Sequence, residues 1–390
     1  MNQTGQQIKE RMHSHQATLR TLADEAETAG QMPAEAIAVA NRCGIWQHLC
    51  PQPVGGNCTD AAELIDLWKA CAALDGSFGW LSIAYVLATT HCALYLQPSA
   101  WQQVFADGAF PLIAGQYQPN GRGIVTEGGY TLTGKWAFGS GIHHADWAVA
   151  GFIQVDNSEV VKDLDGRPEI MIAVIPRQSL TLSGHWDTTG LRGTGSINYS
   201  CENLFIPSAF CYRFEDPESL RGGALHRIGI TEISAVSHGS WALGMAQRAI
   251  DEMLLLARKT LRANESQPLA RKETFLLDLA RSAARLQAAQ AFLTSATTEA
   301  QHEVEQTAGI LRQTQNEIRL AATFANEICA EIAEIAYRQM GTAAIARRNP
   351  LERVLRDIQT GRQHMMIGSQ SYVNVARTWF EVDNASKRHR

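Results

Sequence analysis

Side chains able to move protons or attack a substrate fall in a few places along these 390 residues. His91 lies in the apolar run 81–96, where a lone imidazole is either a satisfied core residue or a reacting group. His364 closes the stretch Arg356-Asp357-Ile358-Gln359-Thr360-Gly361-Arg362-Gln363-His364, in which no carboxylate follows Asp357. Imidazole titrates near neutral pH, so it can exchange a proton with a substrate hydroxyl or ring nitrogen. His143 and His144 are adjacent, and neighbours on a strand point to opposite faces, so they are not expected to chelate one metal ion. Glu327, Glu331 and Glu334 offer carboxylates at helical spacing, a pattern that ordinarily makes a solvated face. The cysteines, Cys43, Cys50, Cys58, Cys71, Cys92, Cys201, Cys211 and Cys329, contain no C-x-x-C pair and join no histidines at zinc-site spacing. They read as buried thiols of a reducing compartment.

With 45% apolar and 19% charged residues, the chain can bury a core large enough to position such groups, in two or three domains. A net charge of -5 gives no basic field, so nucleic acid is not an expected partner and a small molecule fits better. Residues 1–20 are polar and carry no apolar core with a cleavage site, and no apolar run approaches the roughly 20 residues of a membrane helix. A cytoplasmic protein with no membrane partner is expected.

Helical spacing covers residues 8–29, 33–43, 59–74 and 81–96, with Pro33 in a first turn and a break at residues 75–80. From Pro111 the texture changes to short β-branched and aromatic runs separated by glycine turns, at 130–132, 147–153, 170–175 and 196–205. After Pro217 four long alanine-rich helical patterns follow, at 233–259, 273–298, 303–340 and 351–380, which predict a bundle. The expected organisation is therefore an α+β chain: a helical domain over 1–111, a central β-barrel over 112–215, and a C-terminal four-helix bundle over 216–390. The end of the chain, residues 387–390, reads as a solvated tail.

Three stretches carry a resemblance to a known family. The first is Gly128-Gly129-Tyr130-Thr131-Leu132-Thr133-Gly134-Lys135-Trp136-Ala137-Phe138-Gly139-Ser140-Gly141. The second is Asp187-Thr188-Thr189-Gly190-Leu191-Arg192-Gly193-Thr194-Gly195-Ser196, followed by Phe205-Ile206-Pro207. The third combines Tyr337-Arg338-Gln339-Met340-Gly341, Asn349-Pro350-Leu351-Glu352-Arg353 and Arg356-Asp357-Ile358. They resemble the signatures of the acyl-CoA dehydrogenase superfamily, and the Trp-x-Phe-x-Ser-Gly form is similar to its two-component flavin monooxygenase branch. That branch includes the oxygenase components of 4-hydroxyphenylacetate hydroxylase, steroid-degradation phenol hydroxylase and dibenzothiophene monooxygenase. Dehydrogenases of this fold commonly carry a catalytic glutamate a few residues after the Arg-Asp pair; here a histidine stands in that stretch, as it does in the hydroxylases.

The resemblance implies an oxygenase that takes reduced FMN or FAD from a separate reductase, reacts it with O2 through a C4a-hydroperoxyflavin, and hydroxylates a small aromatic or heteroaromatic compound. It implies His364, Ser140 and His91 as catalytic residues, with Ser140 near flavin N5. It also implies Trp136, Phe138, Gly139, Ser140, Thr194, Ser196 and Arg258 as flavin contacts, with Arg262 the alternative to Arg258, and a homotetramer formed through the bundle. Trp80, Tyr85, Phe138 and Trp379 are aromatic residues that either line a substrate pocket or pack in the core. Gly190-x-x-Gly-x-Gly195 precedes an expected strand rather than a helix, which argues against a dinucleotide loop and a nicotinamide site. Two competing functions are an acyl-CoA dehydrogenase with its base on another helix, such as Glu327, Glu331 or Glu334, and a flavin-free structural relative. The glycine loops oppose the second, since a loop without a ligand has no need of close backbone approach.

Overall fold

Thr4 opens the first helix with a reciprocal cap, its hydroxyl accepting from the Gln7 amide while the Gln7 side chain accepts from the Thr4 amide. The computed structural model describes residues 4–56, 58, 60–105, 110–163, 165–214, 219–262, 266–347 and 349–387. The expected boundary at 215/216, the helix start at 59 and the tail 388–390 lie outside the described residues. The chain divides into two compact units, the first of residues 1–58, 80–187 and 192–223, the second of residues 59–79, 188–191 and 224–390.

In the first unit the expected helix 8–29 is two helices, α1 (Gly5–Ser14) and α2 (Gln16–Ala29), which meet at His15. Gly30 ends α2 in the left-handed conformation, and α3 (Ala34–Cys43) follows with Pro33 at its N-cap rather than inside its first turn. After α4 (Ala61–Leu74), which belongs to the second unit, α5 (Gly76–Tyr95) begins at once. The expected break at 75–80 shrinks to Asp75, whose carboxylate accepts the Phe78 amide and caps the new helix. By length and apolarity α5 passes as a membrane span, but 89% of that window is buried within the protein, as in a core helix. A short helix, α6 (Pro98–Val104), starts on a proline in its first turn.

The strands are β1 (Ile113–Thr126), β2 (Gly129–Gly139), β3 (Trp147–Asp156), β4 (Glu159–Val160), β5 (Ile170–Pro176), β6 (Thr181–Ser183), β7 (Ile197–Pro207) and β8 (Cys211–Arg213). They form one eight-stranded sheet in the order β6-β7-β2-β1-β3-β5-β8, with β4 beside β3. No pairing joins β6 to β8 among the described residues, so the expected barrel is open at that seam. β1 pairs parallel to β3, and every other ladder is antiparallel. Strand β1 was absent from the sequence expectation because Pro119 and four polar residues interrupt its apolar pattern; the ladder slips there, between Gln116 and Gly121. Ile113, Val149, Ile172 and Val174 of the sheet pack on Ala88, Cys92 and Leu96 at the end of α5 and its exit.

In the second unit α4 packs on α7 (Ile230–Ala257) and α8 (Glu273–Gln306), and α9 (Arg312–Met340) packs on both of these helices. Two expected boundaries change. Glu303, placed by sequence at the start of the third bundle helix, lies in the last turn of α8 and accepts the Leu311 amide at 2.8 Å, so it closes one helix and caps the next. The expected helix 351–380 is α10 (Pro350–Gly361) and α11 (Gln370–Lys387), separated by a 3-10 turn at residues 365–367. Asn349 caps α10 through the Leu351 amide, and Pro350 takes its first position. Among the described residues the bundle thus has five α-helices after residue 224 instead of four.

One buried carboxylate organises this unit. Asp357 of α10, 1% exposed, accepts the Leu191 amide at 2.7 Å, while Arg356 donates to the Thr189 carbonyl at 2.5 Å. The second and third signature stretches are therefore joined through backbone. Leu191 has φ 54, a left-handed conformation unusual for a branched side chain. A Cβ at Gly190 would fall inside contact distance of the Arg356 carbonyl, so only glycine permits this approach.

Candidate active site

The signature loop of the first unit begins in β2. Trp136 is fully buried, donates from its indole to the Gly151 carbonyl at 2.9 Å and stacks on Tyr199 at 5.3 Å. Two residues on, the side chain of Phe138 is 61% exposed, and its backbone has φ 60. Its carbonyl accepts from Gln116 and from the Ser140 amide, which holds the turn. An apolar ring facing solvent on a strained backbone suits a flat ligand, since both features cost free energy without one. Trp186 meets Phe138 edge-on at 6.1 Å.

Behind that ring lies a chain of three buried hydroxyls. Ser140 and Ser196 are 2.8 Å apart, and Ser196 and Thr194 2.7 Å. When Thr194 donates to Ser196 and Ser196 to Ser140, the Ser140 proton remains to donate outward, and the chained dipoles reinforce one another. Gly141, at φ 74, fixes the loop: its amide donates to the Thr194 carbonyl at 3.0 Å, and its carbonyl accepts the Tyr85 hydroxyl at 2.8 Å. Tyr85 is thus a buried support of the loop rather than a pocket surface. Gly139 is buried, and Gly195 turns the second loop at φ 56 before β7 begins at Ile197. A strand, not a helix, follows the glycine-rich segment, as the sequence indicated. Exposed aromatic surface beside buried hydroxyl donors fits a flavin ring.

His144 Nε2 lies 2.7 Å from the Met32 carbonyl and 3.3 Å from the Gln31 side chain. His91 sits in an aromatic box, edge-on to Tyr95, Tyr117, Tyr212 and Phe214 at 4.8 to 5.8 Å. Its Nδ1 is 3.2 Å from the Tyr212 hydroxyl, and its buried Nε2 has no hydrogen-bond partner among the described residues. Burial pushes the ring down to about 3, so it is neutral at ordinary pH.

In the second unit His364 caps the 3-10 turn that separates α10 from α11, its Nδ1 accepting the Met366 amide at 3.4 Å. Burial, with a smaller contribution from His238, holds it well below the usual histidine range. His238 of α7, which sequence reasoning passed over, stacks on His364 at 4.0 Å and 13°. Its Nδ1 lies 2.6 Å from the Ser234 carbonyl, and burial pushes it down to about 4. Nothing in the spacing of α7 marks this residue, whose neighbours on the same helix face are Ser234, Ala235, Trp241 and Ala242.

The other sequence candidates in this unit separate clearly. Arg258, the C-cap of α7, is exposed, and its side chain makes no ion pair or hydrogen bond among the described residues, whereas Arg262 donates to the Gln339 carbonyl and side chain. Glu327 accepts from Tyr372 at 2.9 Å, Glu331 pairs with Arg285, and Glu334 accepts from Gln359 at 2.8 Å. Each of the three glutamates therefore has a surface partner. Trp379 is 65% exposed on α11.

Residues 236–369 match the family model described as acyl-CoA dehydrogenase, C-terminal domain. The flavin-dependent monooxygenase oxygenase subunit HsaA of Rhodococcus jostii (strain RHA1) is 29% identical over 371 residues, spanning 89% of this chain and 91% of that protein. Indole-3-acetate monooxygenase of Pseudomonas putida is 25% identical over 343 residues, 86% of this chain and 84% of that protein. The structure of XiaF from Streptomyces sp. in complex with FADH2 and glycerol superposes with a TM-score of 0.86 at 24% identity, covering 97% of this chain and 96% of that one. The chain has the acyl-CoA dehydrogenase fold. Along most of its length it is similar to oxygenase components of flavin-dependent monooxygenases.

Neutral buried histidines give stability a definite pH dependence. In the unfolded chain His91 titrates near 6.5, but the folded ring resists protonation down to about 3. Its contribution is fully present above pH 6.5 and is lost as pH falls, because the unfolded chain then binds a proton that the folded chain does not. The slope is about 1.4 kcal/mol per pH unit for each such ring. Urea unfolding of His91→Leu between pH 6 and 4 should lose stability less steeply than the parent by about that slope; equal slopes would show that His91 takes up its proton in the folded state.

Proposed function

We infer that this chain is the oxygenase component of a two-component flavin-dependent monooxygenase, acting on a small aromatic or heteroaromatic compound with reduced FMN or FAD and O2. The observation that carries this reading is the desolvated imidazole His364 after α10, with no carboxylate between Asp357 and that histidine. Relatives named for flavin-dependent and indole-3-acetate monooxygenation support it. When bound, the reduced flavin supplies two electrons that let one atom of O2 enter the substrate ring and the other leave as water.

The chain's own residues bind, orient and exclude water. Phe138 and Trp186 offer apolar surface to a flat ring, and the Ser140 hydroxyl, oriented by Ser196 and Thr194, offers it a hydrogen bond. His364 is neutral near pH 7 and exchanges a proton with the substrate's hydroxyl or ring nitrogen. The absence of a helix after Gly195 leaves the glycine-rich loop without a dinucleotide-binding form, which fits supply of reduced flavin by a separate reductase. A thioester dehydrogenase needs a free carboxylate base, and Glu327, Glu331 and Glu334 are all engaged.

Oligomerisation through the second unit is part of the proposal. Leu254, Leu255 and Leu261 near the end of α7 and Leu276 and Leu277 at the start of α8 are each 45 to 58% exposed, more apolar surface than a free helix end ordinarily shows. Light scattering should give four times the chain mass, and a monomer would contradict it. For the reaction, one equivalent of reduced FMN or FAD is mixed with protein, O2 and a panel of phenols and indoles, and product and hydrogen peroxide are counted. At least one substrate should be hydroxylated in a good fraction of turnovers. Ser140→Ala should shift the balance to peroxide, and His364→Ala should cut product by roughly 10²-fold. Peroxide alone with the whole panel, together with oxidation of an acyl-CoA thioester, would replace this reading with the dehydrogenase.

A further inference from the structure

The contact between His238 and His364 has no counterpart in the sequence signatures, and its geometry is specific. A carbonyl oxygen only accepts, so the 2.6 Å contact to Ser234 places a proton on Nδ1 of His238. The neighbouring ring is held from the other side: the Met366 amide donates to Nδ1 of His364, so in the neutral form its proton is on Nε2. Each tautomer is thus set by backbone, one by helix α7 and one by the 3-10 turn. Between these anchors the two rings lie face to face, 4.0 Å apart and 13° from parallel.

We propose that His238 is a positioning residue for His364: the stacked rings act as one unit that accepts no more than one proton, with His238 fixing the plane of its neighbour and keeping it uncharged until substrate supplies that proton. This rests on the reading of His364 as the residue that handles the substrate's proton. Two imidazolium ions at this separation repel strongly in a water-poor setting, so a second proton is excluded. Both buried rings are held below the usual histidine range, so each is neutral in the resting protein.

The turn at residues 365–367 packs on α7 and α9. Among the described residues, the charged groups that reach it from those helices include Arg319 of α9, which contacts the Met366 sulfur at 3.6 Å, and Glu232 of α7, 3.7 Å from Arg319, an opposite-charge pair.

The test uses full-length protein with ¹⁵N-labelled histidine, reading the His364 ring by NMR against pH, alongside product per reduced flavin from pH 5.5 to 8.5. In His238→Ala the His364 ring should titrate at higher pH than in the parent, still below the unperturbed value of about 6.5 because burial remains. The acid limb of product yield should move up with it, so that the loss of product grows as the pH falls toward 5.5. His238→Phe, which retains a stacked ring without a titrating nitrogen, should rescue both readings. The proposal is overturned if His238→Ala leaves the His364 titration and the acid limb where the parent has them, or if His238→Phe fails as fully as His238→Ala. Failure of the functional reading would appear separately, as full hydroxylation by His364→Ala, and the NMR titration would still decide the stack.

Discussion

Exclusion of water from imidazole is the constraint on which the proposed chemistry of this protein depends. His91, His238 and His364 are all held below the ordinary histidine range, and in each case burial is the first cause. Burial keeps each of these rings neutral at ordinary pH, the form that the proposed reaction requires of His364. The aromatic box around His91 and the stack beneath His364 are two ways to reach that state. One surrounds the ring with aromatic edges, and the other covers its face with a second imidazole.

Backbone geometry then converts a dry interior into an oriented one. In the first unit, Gly141 ties the Ser140 loop to Thr194 and Tyr85, and the three hydroxyls take their direction from that frame. In the second, Asp357 holds Leu191, and Gly190 lets the chain approach α10. A buried carboxylate is costly unless its oxygens are satisfied, so Asp357 fixes where α10 must sit and, through it, where the turn bearing His364 begins.

Much of this was legible in the sequence, for physical reasons. The order of helical, extended and helical segments follows from hydrophobic period, whereas Trp136 through Gly141 stood out only by its resemblance to the Trp-x-Phe-x-Ser-Gly form of the flavin monooxygenase branch. Contacts between distant positions were not legible. Ser140 and Ser196 are 56 positions apart, and no local rule pairs them. His238 was hidden by its alanine-rich helix, and the break at residues 362–369 by an amphipathic period that runs on across it. Strand β1 was lost to Pro119, which marks the point where its ladder shifts register.

The most direct measurement of the central claim is the fate of labelled oxygen. With reduced flavin supplied under ¹⁸O2 and an aromatic substrate that is turned over, the hydroxylated product should carry one ¹⁸O atom, and the same reaction in H₂¹⁸O under ordinary oxygen should leave it unlabelled. Product whose new oxygen comes from water, or oxidation of a substrate with no oxygen incorporated, would contradict a monooxygenase built on this fold.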